Sequence, residues 1–386
     1  MNFEPVNTVL GSLAVLSAVL VLWQVIVAAR FPLHQRSASP EFFPAISLLK
    51  PLKGCDEKTL ECLRSWLEQQ YAGPLQILFG VASPDDPVCA LVRQLIAEHP
   101  RIPAQLVICG EDLGPNSKVS QLVQLERIAQ HEIICVSDAD VWVPPDFLSN
   151  AVVPLRDLAV GLVNSFYRFA SAGNFAMRWE AFAVNADFWS QVLQSRSLKP
   201  MDFALGAAML LTRRHLAAIG GFAVLVNHLA DDYQLGNRIA RQGARIALSP
   251  VVVECRSEPL SFGQVWSHQL RWARTIRVCQ PGPFFWSVLG NGSFWPAVWL
   301  VAGPATTTTS FGVGLCLASR MLAGLYLERR MTGQWAVSSS AMALVKDTLQ
   351  VAVWALAFMG RQVKWRGVSY QVEAGGRMVR WAGVRD

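Results

Sequence analysis

Two carboxylates one residue apart, Asp138 and Asp140, close the run Glu132-Ile133-Ile134-Cys135-Val136-Ser137-Asp138-Ala139-Asp140. The apolar stretch reads as a buried strand that delivers both side chains to the C-terminal edge of a sheet, where open α/β sheets bind ligands. Paired carboxylates suit a hard divalent cation that also holds a diphosphate, so Asp138 and Asp140 are candidate ligands for Mg²⁺ or Mn²⁺. A solvated turn can carry the same short pattern, and its weight depends on its company.

That company is extensive. Asp85 and Asp86 follow a second apolar run, where carboxylates can accept hydrogen bonds from uracil or ribose. In Ser83-Pro84-Asp85-Asp86-Pro87 they would serve equally as a turn and a helix cap. Asn116-Ser117-Lys118 opens a helical stretch. A lysine there offsets phosphate charge with help from the helix dipole, or is simply a surface lysine. Asp231-Asp232-Tyr233 precedes the helical run Gln234–Arg241. Acidic residues are favoured at a helix start by the dipole alone; the sharper reading makes one of them a general base toward an attacking hydroxyl. Gly220-Gly221 upstream permits a tight turn near a ligand. His268-Gln269-Leu270-Arg271-Trp272 lies among Trp266, Arg274 and Arg277, the composition of a helix lying on a membrane surface. From there Arg271 and Trp272 can reach back toward a diphosphate and an acceptor, arginine offering phosphate a two-pronged fork. No P-loop, dinucleotide-binding or nucleophile-elbow glycine pattern occurs.

The elements that must position these residues follow an alternating rhythm. Strands are expected at Ala45–Leu49, Leu75–Val81, Ala104–Cys109 and His131–Val136. Helices are expected at Glu57–Gln70, Val88–Glu98 and Val119–Ala129. Such βαβ alternation predicts an α/β domain with a mostly parallel, doubly wound sheet. Before it, Val6 to Ala29 carries no charge and is long enough to cross a hydrocarbon core of about 30 Å. Glu4 precedes this anchor and Arg30, His34 and Arg36 follow, which places the next domain in the cytoplasm. Phe31 to Pro44 reads as a linker. Beyond Pro281, Phe284–Val301, Phe311–Leu327 and Val351–Gly360 are apolar, consistent with two spans and a third span or re-entrant segment. Arg329-Arg330 and the basic tail (Arg361, Lys364, Arg366, Arg377, Arg380, Arg385) both prefer the cytoplasm, which conflicts with a full crossing between them.

Composition agrees with a membrane protein. Of 386 residues 52% are hydrophobic and 16% charged, with 14 tryptophans, against about 25% charged in soluble proteins. The net charge of +6 suits an anionic bilayer surface. Basic residues are dispersed and no nucleic-acid module is present, which argues against a nucleic-acid partner. Eight cysteines without a Cys-x-x-Cys pair read as buried free thiols, not a zinc site.

Taken in order, the motifs resemble the processive-type and lipid-directed inverting glycosyltransferases of GT-A fold, which carry Asp, Asp-x-Asp, Asp and (Gln/Arg)-x-x-Arg-Trp. Ile46-Ser47-Leu48-Leu49-Lys50-Pro51-Leu52-Lys53-Gly54, Asp85-Asp86-Pro87, Asn116-x-Lys118, Leu229-Ala230-Asp231-Asp232-Tyr233 and Arg271-Trp272 are similar to the ceramide glucosyltransferase family. The likeness covers most of residues 44–280. The run from His268 to Thr275 and Trp365-Arg366-Gly367 are also similar to bacterial hopanoid-associated N-acetylglucosaminyltransferases. His268 departs from the family, standing where the motif has Gln or Arg.

The resemblance implies a membrane anchor at 1–30, a cytoplasmic GT-A domain at 31–280 and a C-terminal membrane region at 281–386. It implies an inverting, metal-dependent transfer of hexose from a UDP-sugar to a lipid hydroxyl: UDP-glucose to ceramide, or alternatively UDP-N-acetylglucosamine to a hopanoid or other lipid. Asp138 and Asp140 would position the metal. Asp85, Asp86, Lys118, Asp138 and His268 would contact the nucleotide-sugar, Asp232 would be the base, and Arg271 and Trp272 would complete the catalytic set. A reading from another class keeps a membrane scaffold whose acidic clusters are only caps and turns.

Overall fold

The computed structural model describes residues 4–37, 41–170, 173–365 and 367–381. Arg366 and Arg385 of the basic tail lie outside the described residues. After the N-terminal helix α1 (Glu4–Arg30) come β1 (Ile46–Leu52), α2 (Thr59–Leu67), β2 (Leu75–Val81), α3 (Val88–Glu98), β3 (Ala104–Ile108), α4 (Ser117–Ile128) and β4 (Ile133–Ser137). This is the expected alternation, with some ends moved. Strand β1 runs three residues beyond its expected end, and every position in it is buried, Lys50 included. Helix α4 starts earlier because the Asn116 side chain accepts from Val119 N, satisfying one of the helix's free N–H groups.

Further along lie β5 (Val141–Trp142), α5 (Phe147–Ala151), β6 (Val160–Phe169), α6 (Phe175–Phe182), α7 (Trp189–Leu198), β7 (Ala208–Thr212), α8 (Arg213–Ala218), α9 (Asp231–Arg241) and β8 (Arg245–Cys255). They complete one sheet of order β3-β2-β1-β4-β7-β6-β8-β5. Strands β3, β2, β1 and β4 are mutually parallel and β6 is parallel to β8, while β7 runs antiparallel to both neighbours. The mostly parallel α/β sheet is therefore as expected. Strands β1, β2 and β4 are buried at every position, as a sheet covered on both faces requires.

Two details of this frame position the site. Strand β5 begins immediately after Asp140 and pairs with the far strand β8. The Asp138–Asp140 turn is thus held by β4 on one side and β5 on the other. A π-helical turn, Ala183–Phe188, joins α6 to α7. Its Asn185 side chain donates to Phe169 O and accepts from Phe169 N, locking the turn to the end of β6.

Then follow α10 (Phe262–Cys279), α11 (Pro281–Trp286), α12 (Phe294–Ala302), α13 (Thr307–Thr332) and α14 (Met342–Phe358). The tail forms a small antiparallel sheet of β9 (Gln362–Trp365), β10 (Val368–Val372) and β11 (Met378–Arg380). Among the described residues two helices are long and apolar enough to cross a membrane, α1 and α13. Both keep a bare apolar face: Val9, Val15, Val19, Leu22, Phe311, Leu315 and Leu322 each expose more than half of their surface. A stripe of this kind fits hydrocarbon better than water. The Phe284–Val301 stretch is no span. A 3₁₀ turn at Ser287–Gly290 breaks it, and α12 with 9 residues reaches only about 14 Å. The Phe31–Pro44 stretch also differs from a free linker, since Phe31 and Leu33 are buried and His34 N donates to Pro250 O. Residues 38–40 within it lie outside the described residues.

A buried ionic cluster joins the long helices to the α/β layer. Arg320 of α13 pairs with Asp187 of the π turn and Asp347 of α14, each at 2.8 Å. Lys346 also reaches Asp187, at 2.5 Å, and Ser293 Oγ donates to Asp347. All four charged side chains are almost completely buried. Removing one partner strands the others. Arg320→Ala should destabilise the detergent-solubilised protein by about 3–5 kcal/mol in denaturant unfolding. The charge-balanced pair Arg320→Met with Asp347→Leu should cost clearly less; equal costs would show that the cluster contributes packing alone.

Candidate active site

The C-terminal edge of the parallel strands gathers the acidic motifs around one lysine. Asn116 caps α4 and so turns Lys118, in its first turn, toward the edge of β4. Lys118 Nζ lies 2.7 Å from Asp138 Oδ1 and 3.1 Å from Asp231 Oδ2. Burial alone would lower this ammonium group, but Asp138 and Asp231 override it and hold it well above its ordinary value. One cation thereby joins the β4 turn to the start of α9. Asn116 Nδ2 donates to His228 O at 2.7 Å and lies 3.4 Å from Asp231 Oδ1, fixing the same loop.

The Asp138–Asp140 turn is supported from below. Lys50 Nζ donates to Asp138 O at 2.7 Å and to Ser137 Oγ at 3.3 Å, and sits 5.0 Å from the Trp66 ring centre. Burial lowers the Lys50 ammonium to about 8, with nearby Cys62, Asp140 and Asp138 opposing the shift. Arg256 N and Cys62 Sγ both donate to Asp140 O. The protein packed around Asp140, and then Asp138, push its carboxyl up to about 6, although the residue still reaches solvent.

Asp232 lies one residue into α9 and accepts from Tyr233 N at 2.7 Å. Burial first and Asp231 second push it up to about 7. Gly206, at φ +89°, leaves room for it: a Cβ at that position would meet Asp232 Oδ2 at 2.5 Å. Across from these carboxylates stands α10, begun by a Ser261/Gln264 capping box. Burial lowers the Arg271 guanidinium, while Asp232, Glu180 and Asp138 pull it back up, so Arg271 lies within the field of both motifs. His268 Nδ1 is 2.6 Å from Glu180 Oε1, and Gln269 Nε2 donates to the same oxygen at 3.0 Å. The His268 ring packs 4.2 Å from Trp272, which also lies near Phe169.

The geometry brings Asp138, Lys118 and Asp231 into direct contact and places Asp140, Asp232 and Arg271 in their electrostatic reach. Asp86 has a structural task at the same edge. Its carboxylate accepts from Gly54 N and Val88 N, tying the end of β1 to the start of α3. Asp85 is exposed, its N–H donating to Ser83 Oγ. His268 is engaged by Glu180 and Trp272. Glu180 and Gly206 hold places in the site that their sequence surroundings did not announce. For Lys50 a signal existed: a lone charge inside the apolar run Ile46–Leu52.

Asp138, Asp140, Asp231 and Asp232 confront Lys118, and the shifts of Asp140 and Asp232 report burial plus uncompensated negative charge. A divalent cation would relieve it. Among the described residues no group of three or more His, Cys, Asp or Glu side chains could hold a metal. A cation on Asp138 and Asp140 therefore needs further oxygens from water or a diphosphate, a donor set that suits a hard ion.

The family model described as glycosyl transferase family 21 matches residues 9–378. Ceramide glucosyltransferase 3 of Caenorhabditis elegans is 24% identical over 249 residues, covering 64% of this chain and 53% of that protein. The ceramide glucosyltransferase of Candida albicans is 32% identical over 131 residues, 31% of this chain and 24% of that protein. The chain spans about half the length of the C. elegans relatives it matches. Among solved structures, a mannosyltransferase from Pyrobaculum calidifontis in complex with GDP-Man and Mn²⁺ superposes with a TM-score of 0.56 at 20% identity, covering 92% of this chain and 99% of that one. That likeness is one of fold, and the expected GT-A architecture agrees with it.

Gly206 gives a direct test of how rigidly the site is built. Gly206→Ala forces a side chain into a left-handed backbone position and into Asp232 at once, and should cost about 1–3 kcal/mol of unfolding free energy. A cost near zero would mean that Asp232 moves aside freely and is not held as described.

Proposed function

We propose, from the premise that the chain belongs to glycosyl transferase family 21, that this glycosyltransferase moves glucose from UDP-glucose to the hydroxyl of ceramide at a membrane surface. The observation that carries the reading is the Lys118-bridged carboxylate cluster facing Arg271 at the C-terminal sheet edge. The names of the C. elegans and C. albicans relatives supply the lipid and the sugar. The bare apolar faces of α1 and α13 support a membrane protein, with residues 31–280 as its cytoplasmic catalytic part between two membrane regions.

In this reading Asp138 and Asp140 hold a divalent cation, Mg²⁺ or Mn²⁺, which when bound offsets the charge of the donor diphosphate. Lys118 and Arg271 add fixed positive charge on the same side, where the leaving UDP gathers electrons. Asp86, with Asp85, lies at the strand edge suited to uridine and ribose. Asp232 takes the proton of the acceptor hydroxyl. The hydroxyl oxygen bonds to the anomeric carbon as the bond from that carbon to the diphosphate oxygen breaks, and the electron pair leaves with UDP. Attack from the face opposite the leaving group inverts the centre and gives a β-glycoside. A carboxyl pushed up to about 7 suits this task, because a base near the working pH is both ionised and basic enough to accept a proton. His268, Glu180 and Trp272 set the face of α10 that presents Arg271.

Lipid mass spectrometry on membranes holding the protein tests the substrate. With Mg²⁺ or Mn²⁺, UDP-glucose and ceramide should give hexosylceramide. Product only from UDP-N-acetylglucosamine and a hydroxylated hopanoid would move the assignment to that alternative while keeping the mechanism. Absence of product from either pair would favour the scaffold reading. For the mechanism, Asp232→Asn should lower kcat by about a hundredfold to ten-thousandfold with little change in donor KM. The base works only when deprotonated, so wild-type kcat should fall as pH drops through about 7. An acid limb near 4 would remove Asp232 from the role. Chelation by EDTA should abolish transfer and added Mn²⁺ or Mg²⁺ restore it; transfer that survives EDTA would count against a metal on Asp138 and Asp140.

A further inference from the structure

Near the C-terminal end of α10, where it meets the end of α14, positive charge gathers without acidic partners among the described residues. Arg274 donates through Nη1 to Gln362 O, and Arg277 donates through Nη2 to Gly360 O at 3.1 Å. A guanidinium carries five N–H donors, so each side chain uses only a fraction of its capacity. Arg274 Nε and Arg277 Nε have no hydrogen-bond partner among the described residues. Burial and then Arg277 lower the Arg274 guanidinium, and burial and then Arg361 lower Arg277. Arg277 therefore repels both Arg274 and Arg361, and none of the three forms an ion pair among the described residues. A Cβ at Gly360 would lie 3.2 Å from Arg274 Nη2, so the glycine leaves room for this guanidinium against the end of α14.

An exposed aromatic patch borders the cluster. Arg277 lies 5.7 Å from the Phe358 ring centre. Phe358 packs on Phe284, Phe285 and Trp354, and Phe285 packs on Trp286. Phe285, Trp286, Phe358 and Met359 are all exposed, Met359 at 78%. Aromatic side chains beside arginines are the pairing found where acyl chains meet headgroups.

We propose that Arg274, Arg277 and Arg361 form a binding site for the phosphate of an anionic phospholipid headgroup, with its acyl chains lying over Phe285, Trp286, Phe358 and Met359. Guanidinium forks match phosphate oxygens in a way that lone ammonium groups do not. The site is one turn along α10 from Arg271 and Trp272, so its occupancy steadies the helix that faces the carboxylate cluster. The proposal rests on the membrane placement above. It does not rest on sugar transfer, because the assay below reads lipid retention alone.

Native mass spectrometry of the full chain in detergent, with phosphatidylglycerol or phosphatidylcholine added, measures the preference. Wild type should retain phosphatidylglycerol over phosphatidylcholine. Arg361→Gln, which leaves the carbonyl contacts of Arg274 and Arg277 intact, should weaken that retention about fivefold. The triple variant Arg274→Gln, Arg277→Gln, Arg361→Gln should abolish the preference. A control that removes the same charge elsewhere, Arg93→Gln, Arg101→Gln, Arg214→Gln, should keep it. Unchanged preference in Arg361→Gln, or equal loss in the control, would overturn the site. Competition by inorganic phosphate as effective as by the lipid would overturn the headgroup assignment, showing a site for the free anion.

Discussion

The Lys118 bridge is the contact on which the arrangement at the sheet edge depends. Asp138 leaves the sheet after β4, while Asp231 opens a helix nearly a hundred residues later. Backbone pairing brings the two regions near, through β7 beside β4 and Asn116 N donating to Val226 O; the ammonium group then joins the two carboxylates directly. Holding several carboxylates in a partly dry cleft is unfavourable unless cations share it. Lys118, Lys50 and Arg271 together do not fully balance four carboxylates in a partly dry cleft, and burial with the residual charge is expressed in the raised Asp140 and Asp232. A site built with a surplus of negative charge is one prepared for a cation, and a group held near neutrality is one that can exchange a proton. Both properties come from the same imbalance.

The tail gives this imbalance a second support. The loop leading to Asp231 is paired to residues far away in sequence: Leu229 N donates to Gly376 O, Met378 N donates to Asn227 O, and Gln234 Nε2 donates to Gly375 O. Gly375 and Gly376 both take positive φ, which makes the tight turn possible at those contacts. The tail reaches this loop only after the chain has passed through α13 and α14, helices pinned to the π turn by Arg320 and Asp187. The α9 carboxylates are thus braced by elements that depend on the helical layer. A fragment ending at residue 280 would lose that brace.

Much of the sheet edge was readable from the residues. Strands buried on both faces leave near-continuous apolar runs, so β2 and α3 fall where expected and Asp138 and Asp140 follow β4. Asp85-Asp86 were likewise legible at the end of an apolar run, and Asn116-Ser117-Lys118 and Asp231-Asp232 as helix starts. What could not be read depends on pairing across long separations. Lys118 bonded to both Asp138 and Asp231, Glu180 under His268 and Gly206 beside Asp232 are tertiary contacts, and no local pattern encodes them. The antiparallel insertion of β7 between β4 and β6 is of the same kind. The number of C-terminal crossings stayed open in the sequence for a local reason: hydropathy counts apolar residues along a window, and it does not register that the turn at Ser287–Gly290 divides Phe284–Val301.

Helix α10 has to satisfy three neighbours at once, and this explains its composition. Toward the sheet it presents Arg271 and Trp272. Toward α6 it presents His268 and Gln269, both held by the buried Glu180. Toward the end of α14 it presents Arg274 and Arg277, whose forks hold the carbonyls of the turn into β9. A helix repeats its faces every three to four residues, so shifting any one contact rotates the other two. His268 in place of a Gln or Arg is intelligible in these terms: a ring that packs on Trp272 while its Nδ1 meets Glu180 fixes the rotation of the helix, and with it the direction in which Arg271 points.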